Sequence, residues 1–550
     1  MLPAAAALAV CVAAAVAVVV CVAVAVAVGA GAALPAAPPL RHRLARAVLH
    51  RAARWQRRRL ELRGTEVRSS QERRLRRLLP AGAAPGSDAF RESHPLTLSS
   101  PDGDPGEQEA PVPLLGPWAL LRSCWAADPP LQGALLYLDV LRTAFPQALA
   151  LRGTALFCWA PGGPRAPAGW PLPTLYCTPA EAGAVPSRAA ALRLQLLFAL
   201  RERGLRVLEA GLASELCDAL AALRAGWPGL AEDLALGRLS PQLELPEGTR
   251  RQLQGLLAPD AARAAELRAE CARGFEGIVQ RLWPQLQVVV VGTAHGGEQL
   301  YSDALQQEDC KGLPFYSPFY RAGGALLGVN LWPEEPSARF LLCPDWAFCE
   351  FLPCPAEEET ATALLGELWE GREYALVLTA WPGEYRCHVG EVLQVAGFHK
   401  QCPVVEPVRR ESQTLSVRGE SIPEERFLRS LRRAVGMWPG ARLVDYVCVE
   451  SALLGASSGA CAPHYQVFVE LRGLRDLSEG QRYKLDHCLQ EDFPTYKSFR
   501  FKGSIGPLRL HLVAAGAFAR LREAVGCPRP MPRVLRERRL LSAIQSAVVS

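Results

Sequence analysis

The first forty residues contain no charged side chain. A solvated globular exterior is not written this way, and the alanine- and valine-rich run from Ala4 to Val28 is about as long as a bilayer-spanning helix needs. No lysine or arginine precedes that run, so it lacks the basic leader of a typical secretory signal. Small residues from Val28 to Ala33 nevertheless leave cleavage open. The basic block Arg41 to Arg77 follows at once. This asymmetry favours a signal anchor with the main domain facing the cytoplasm, and the membrane expected is that of the endoplasmic reticulum or nuclear envelope. The alternative is signal cleavage and a place in the secretory lumen.

Excess charge is also scarce. The formal net charge is +6, much of it within Arg41 to Arg77, so the rest of the chain is nearly neutral and carries no nucleic-acid footprint. Seventeen cysteines include Cys11 and Cys21 in the apolar run, which leaves an odd number scattered through predicted helices and strands such as those of Cys217, Cys271 and Cys448. That pattern reads as free thiols in a reducing compartment, not as a disulfide framework. Cys343, Cys349 and Cys354 lack the paired two-residue spacing of zinc sites, so no metal is expected there. No internal repeat is present.

What is present is enough apolar sequence for two packed domains: 550 residues, 49% hydrophobic. Leu44 to Leu79 has apolar residues at helical spacing between arginines and predicts a basic amphipathic helix, one that covers the domain or lies on an anionic membrane surface. Pro80 to Pro113 and Gly162 to Pro173 read as loops. Helices are predicted at Leu131 to Leu151, Ala189 to Ala225 and Ala258 to Leu282. The valine run Val288 to Val291, bounded by Pro284 and Gly292, predicts a buried parallel strand. Further strands are expected at Phe340 to Leu342, Tyr374 to Leu378 and Glu391 to Val395, giving a large α/β domain. From about Gln413 a smaller α/β domain begins. Its predicted helices are Pro423 to Val435, Ser478 to Glu491 and Gly516 to Ala524, and its strands Leu443 to Val449, Gln466 to Leu471 and Leu508 to Val513. The expected division is residues 1–40 for the hydrophobic segment, 41–79 for the basic helix, 80–410 for the large domain and 411–550 for the small one.

Gly383 to Pro403 reads GEYRCHVGEVLQVAGFHKQCP. A carboxylate placed after a glycine that lets the chain bend can accept hydrogen bonds from both hydroxyls of a ribose. His388-Val389-Gly390-Glu391-Val392 followed by Val395-Ala396-Gly397-Phe398 resembles the ribose-binding turn of the auxin-responsive Gretchen-Hagen family of acyl-acid amido synthetases, where Val-Gly-Asp-Val leads to Val-Ala-Gly-Phe. Leu282-Trp283-Pro284, Gly312-Leu313-Pro314, Gly328-Val329-Asn330-Leu331, Pro463-His464-Tyr465, Ser504-Ile505-Gly506-Pro507 and Pro532-Arg533 are similar to the family in order and spacing. QTLSVRGE (Gln413 to Glu420) and KLDHCLQE (Lys484 to Glu491) resemble its animal branch.

The resemblance implies a large adenylating-enzyme-like domain with a small C-terminal domain that swings about a hinge near Arg409 to Glu411. It implies a two-step ligase: ATP, with magnesium, and a carboxylic acid give an acyl-adenylate, which the amine of an amino acid then attacks. Carried over, Glu391 would hold ribose, Tyr320 the adenine, Ser99 and Ser100 the phosphates, and Arg410 the nucleotide near the hinge. Several family features are altered. Pro101 and Pro105 remove N–H donors from the phosphate loop Thr97 to Gly106, and Asp102 and Asp104 would repel phosphate. The family's Tyr-x-Ser-Ser-Glu aligns with Tyr320-Arg321-Ala322-Gly323-Gly324, and Pro530 stands where a lysine is expected. Weak or lost turnover is expected, and the alternative is a catalytically inactive membrane-anchored binding or scaffold protein, needing no cofactor. Gly455-Ala456-Ser457-Ser458-Gly459 formally matches a hydrolase nucleophile elbow but reads better as a hairpin loop.

Overall fold

A computed structural model describes residues 38–79, 96–97, 128–161, 171–292, 296–355, 361–380, 385–454, 462–474, 476–526 and 530–549. The Ala4 to Val28 run, the loop residues Leu98 to Gly106 and the Gly455 to Gly459 segment lie outside them. Among the described residues no helix is long and apolar enough to cross a membrane. The chain divides into two compact units. The larger takes residues up to 293, 303–389 and 394–406; the smaller gathers 294–302, 390–393 and 407–550.

In the larger unit the expected basic helix is two helices, Pro38–Arg63 and Val67–Leu78. The break falls at Gly64, whose carbonyl accepts from the Gln401 backbone N–H at 3.0 Å instead of continuing the helical ladder. The first helix buries Ala45, Leu49, Ala53 and Leu60 against the unit. His42 fixes its start: Nε2–H donates to the Leu149 carbonyl and Nδ1 accepts from the Thr174 hydroxyl, both at 2.9 Å. The helix Pro129–Ala144 stops earlier than expected because Phe145 precedes Pro146, which disfavours the helical conformation before it.

Four parallel strands follow: Thr154–Phe157, Val207–Ala210, Val288–Val291 and Phe315–Tyr316, in that spatial order. The strand at Val288 is the one the sequence predicts. The strand at Val207 overturns the predicted helix Ala189 to Ala225, which is two helices, Arg188–Arg201 and Ala213–Leu236, on either side of it. Val207, Leu208 and Ala210 are all buried, so a continuous apolar run serves a strand covered on both faces. Likewise Ala258 to Leu282 is broken between Ala261–Ala272 and Ile278–Leu282, where Gly274 and Gly277 take positive φ of 98° and 63°.

A nine-stranded, largely antiparallel sheet runs in the order 363–364, 349–354, 373–380, 385–399, 402–410, 340–342, 325–329, 319–322. Residues 96–97 pair alongside 385–399 in parallel. Inside this sheet Arg386 donates to Glu350 from Nε at 2.8 Å and from Nη2 at 2.7 Å, and Thr362 donates to the same carboxylate at 2.7 Å. Glu350 is 0% exposed.

The smaller unit is a four-stranded mixed sheet in the order Arg509–Leu512, Tyr465–Arg472, Arg442–Glu450, Val534–Leu535. The helices Glu424–Gly436, Glu479–Asp492 and Ala517–Val525 lie within two residues of their predicted limits. Ser478 and Gln481 form a reciprocal capping box that starts the second of them. Phe427, Leu431, Trp438, Tyr446, Val467 and Leu485 form the core.

Candidate active site

Gly390 has φ of 70°, a conformation glycine adopts without steric cost, so the chain can turn there inside the long strand Tyr385–His399. The turn delivers Glu391 to a site where it is 6% exposed. Arg410, the last residue of the strand Cys402–Arg410, donates from Nε to Glu391 Oε1 at 2.8 Å. Two of the predicted site residues are thus brought together within the smaller unit. Directly after Arg410 the chain enters a short turn, Glu411–Gln413, in the region the sequence marks as a hinge.

Two acids that sequence reasoning did not single out lie near this pair, on the first turn of the helix Glu424–Gly436. Burial, then the neighbouring Glu424 carboxylate, pushes Glu425 up to about 7, opposed by the positive charges of Arg409 and Arg410. Glu424 is buried and accepts from the Tyr446 hydroxyl at 2.5 Å.

Ser99 and Ser100 lie outside the described residues. Their approach is described: Leu96 pairs with Arg386 and Thr97 with Cys387 in parallel register. The chain therefore enters the serine loop from a strand alongside the one that continues into Gly390-Glu391. Tyr320 lies in the larger unit, 0% exposed, with its ring tilted against Phe340 at 5.6 Å. The hairpin after it closes on Gly323 and Gly324, with φ of 54° and 74°, between the paired Ala322 and Ala325. A Cβ built on Gly323 would stand 2.6 Å from Val389 Cγ1.

Pro532-Arg533 also has a defined place. Arg533 is fully buried in the smaller unit, where it pairs with Asp445 and donates from Nη1 to the Tyr446 carbonyl at 2.8 Å and from Nη2 to the Gly297 carbonyl at 2.6 Å. Asp445 further accepts from Tyr301 at 2.5 Å and Arg522 at 3.0 Å. This network ties 294–302 into the smaller unit. The available signal was a lone carboxylate within an apolar strand, Leu443-Val444-Asp445-Tyr446-Val447, which must find cationic partners to be buried.

The described cysteines are unbonded thiols. Burial drives the Cys349 thiol up to about 12, so it stays protonated near neutrality.

Residues 165–315 match the GH3 family N-terminal domain, 340–410 the GH3 family central domain and 425–528 the GH3 family C-terminal domain. The human GH3 domain-containing protein is 44% identical over 528 residues, covering 93% of this chain and 94% of that protein. A rice indole-3-acetic acid-amido synthetase, GH3.8, is 33% identical over 337 residues, which span 56% of this chain and 52% of the rice protein. Among solved structures, the GH3.15 acyl acid amido synthetase shares the fold with a TM-score of 0.67 at 23% identity, over 76% of this chain and 77% of that one. The α/β fold and the family expected from the sequence, including its animal branch, are borne out: the chain belongs to the GH3 family.

Proposed function

We propose that this chain is an ATP-dependent acid–amino acid ligase whose nucleotide turn is retained and whose turnover is weak. The observation that carries the binding half is the Gly390 turn, which presents a buried carboxylate, Glu391, held in place by the Arg410 guanidinium. Such a carboxylate fits a ribose: an ionised carboxylate is an acceptor with two oxygens, and the charge-assisted bond to Arg410 fixes its direction. In this reading Glu391 accepts from the ribose hydroxyls, Arg410 orients the nucleotide, Ser99 and Ser100 face the phosphates, and Tyr320 supports the larger unit's hairpin from its core. ATP, when bound, supplies the phosphoanhydride that activates the carboxylic acid toward the amine of an amino acid. Magnesium would arrive with the phosphates, because it keeps water and phosphate ligands more readily than an all-protein cage. The apolar run Ala4 to Val28 would hold the protein at an endoplasmic reticulum or nuclear envelope membrane.

The weak-turnover half rests on the Gly323-Gly324 hairpin. A two-residue turn with positive φ at both positions favours glycine, and glycine offers no hydroxyl or carboxylate to a nucleotide. Losing one preorganised polar contact in an active site lowers rate by roughly two to three orders of magnitude. The same observation supports the second reading, a binding or scaffold protein with no turnover.

The test is pyrophosphate release by the full-length chain with ATP, magnesium, and a panel of aromatic and aliphatic acids crossed with the common amino acids. An active plant amido synthetase is run alongside. Release about a hundredfold or more below that enzyme, but dependent on both acid and ATP, is expected. Full-rate turnover would overturn the weak-turnover half; no release would support the scaffold.

A further inference from the structure

We propose that the outward face of the helix Pro38–Arg63 is a docking surface for an anionic phospholipid bilayer. The proposal is independent of the ligase reading.

The helix has two opposed faces. Ala45, Leu49, Ala53, Gln56 and Leu60 turn into the larger unit and are buried. Arg43, Arg51, Arg54 and Arg58 recur at helical spacing on the opposite side and are exposed. None of these four forms a hydrogen bond or an ion pair among the described residues. Their neighbours in sequence behave differently: Arg57 faces Asp139 and Arg59 faces Asp345, each at 3.8 Å. The one acid of the helix, Glu61, is taken up by Lys400 at 2.9 Å and His399 at 3.0 Å. A row of uncompensated guanidinium groups therefore spans about 22 Å of helix.

Large apolar side chains are interleaved with these arginines. Leu44, Trp55 and Leu62 are 54%, 55% and 71% exposed. Arg59 sits over the Trp55 ring at 5.4 Å. Leucine and tryptophan on a solvated face, among arginines and with the helix's one acid, Glu61, already paired, suit the headgroup level of a bilayer, where the rings and alkyl chains bury and the guanidinium groups meet phosphate. A nucleic acid would use the arginines but leave Leu44 and Leu62 without a role. An anchored apolar run, as proposed above, would bring this helix to a membrane. It begins at Pro38, ten residues after the apolar run ends at Val28. Each basic residue close to an anionic surface strengthens binding about fivefold at physiological salt.

The experiment is flotation of the full-length chain with vesicles of phosphatidylcholine alone or with phosphatidylserine added, at low and high salt. The apolar run contributes to both vesicle types, so the quantity read is the gain that phosphatidylserine adds. The wild-type chain is expected to show a salt-sensitive gain. Arg51→Gln, Arg54→Gln and Arg58→Gln combined should reduce it about a hundredfold, and the matching triple Lys variant should retain it. All three side chains are at the surface, so the thermal midpoint should not move. Equal binding to the two vesicle types, or an unchanged gain in the Gln variant, would overturn the proposal. Tighter retention on duplex DNA than on anionic vesicles at the same salt would also overturn it.

Discussion

Arg386→Met should be among the most damaging single changes in the larger unit. Glu350 is completely buried, and Arg386 supplies two of its charge-assisted hydrogen bonds; Thr362 supplies a third. Removing the guanidinium leaves an ionised carboxylate in the sheet with one neutral donor. A buried pair broken on one side is expected to lose about 3–5 kcal/mol. The double variant Glu350→Gln with Arg386→Met removes the stranded charge and should recover at least half of that loss, because the amide oxygen introduced by Glu350→Gln can still accept from Thr362. The two units need not unfold together, so a single melting curve is a poor gauge. Hydrogen exchange in urea, followed on peptides spanning 349–354 and 373–380, reads the affected strands directly. A loss below about 1 kcal/mol for the single variant, or a double variant no better than the single one, would refute the argument that burial of the charge sets the magnitude.

Other consequences are equally concrete. Glu425 is held up to about 7 in the folded protein, above its ordinary range, so the folded state binds the extra proton between about pH 4.5 and pH 7. Its stabilising contribution is complete below that window and lost as pH rises through 7. The thermal midpoint of Glu425→Gln should therefore fall less than that of the wild type between pH 5 and pH 8, and equal slopes would contradict the assignment. Gly323→Ser should destabilise the larger unit by about 1–3 kcal/mol, more than Gly324→Ser. Both positions have positive φ, but only a Cβ at Gly323 meets Val389, and denaturant midpoints of the two variants decide the order. Arg533→Met strands Asp445 only in part, since Arg522 and Tyr301 remain bonded to it. The expected loss is about 2–3 kcal/mol in the smaller unit, with increased exchange in the peptide covering residues 296–302.

The smaller unit was readable because its elements are punctuated. Pro423 starts one helix, the Ser478–Gln481 box starts another, and Tyr465–Arg472 has no competing helical pattern. The parallel sheet was harder. Val207–Ala210 lies among leucine, alanine, arginine and glutamate, residues that fit a helix as well as a buried strand, and only the bracketing glycines Gly204 and Gly211 marked the interruption. The break at Gly64 depends on Gln401, a partner more than three hundred residues away, which local pattern cannot show. Within the candidate site, Gly390 and Glu391 were legible as a motif that resembles the family's ribose-binding turn. The resemblance offered Arg410 as a contact to the nucleotide near the hinge; its bond to Glu391 at 2.8 Å comes from the geometry alone. For the Asp445–Arg533 network the sequence offered only the lone acid in an apolar strand; its partners come from separated stretches that local pattern does not connect.

The central claim is that the turn at Gly390 still binds nucleotide through Glu391. It is tested most directly by isothermal titration of ATP and magnesium into the full-length chain and into Glu391→Ala. The account predicts saturable binding by the wild type and its loss in the variant, with both proteins folded by circular dichroism. No heat from the folded wild type, or equal binding by the two proteins, would contradict it.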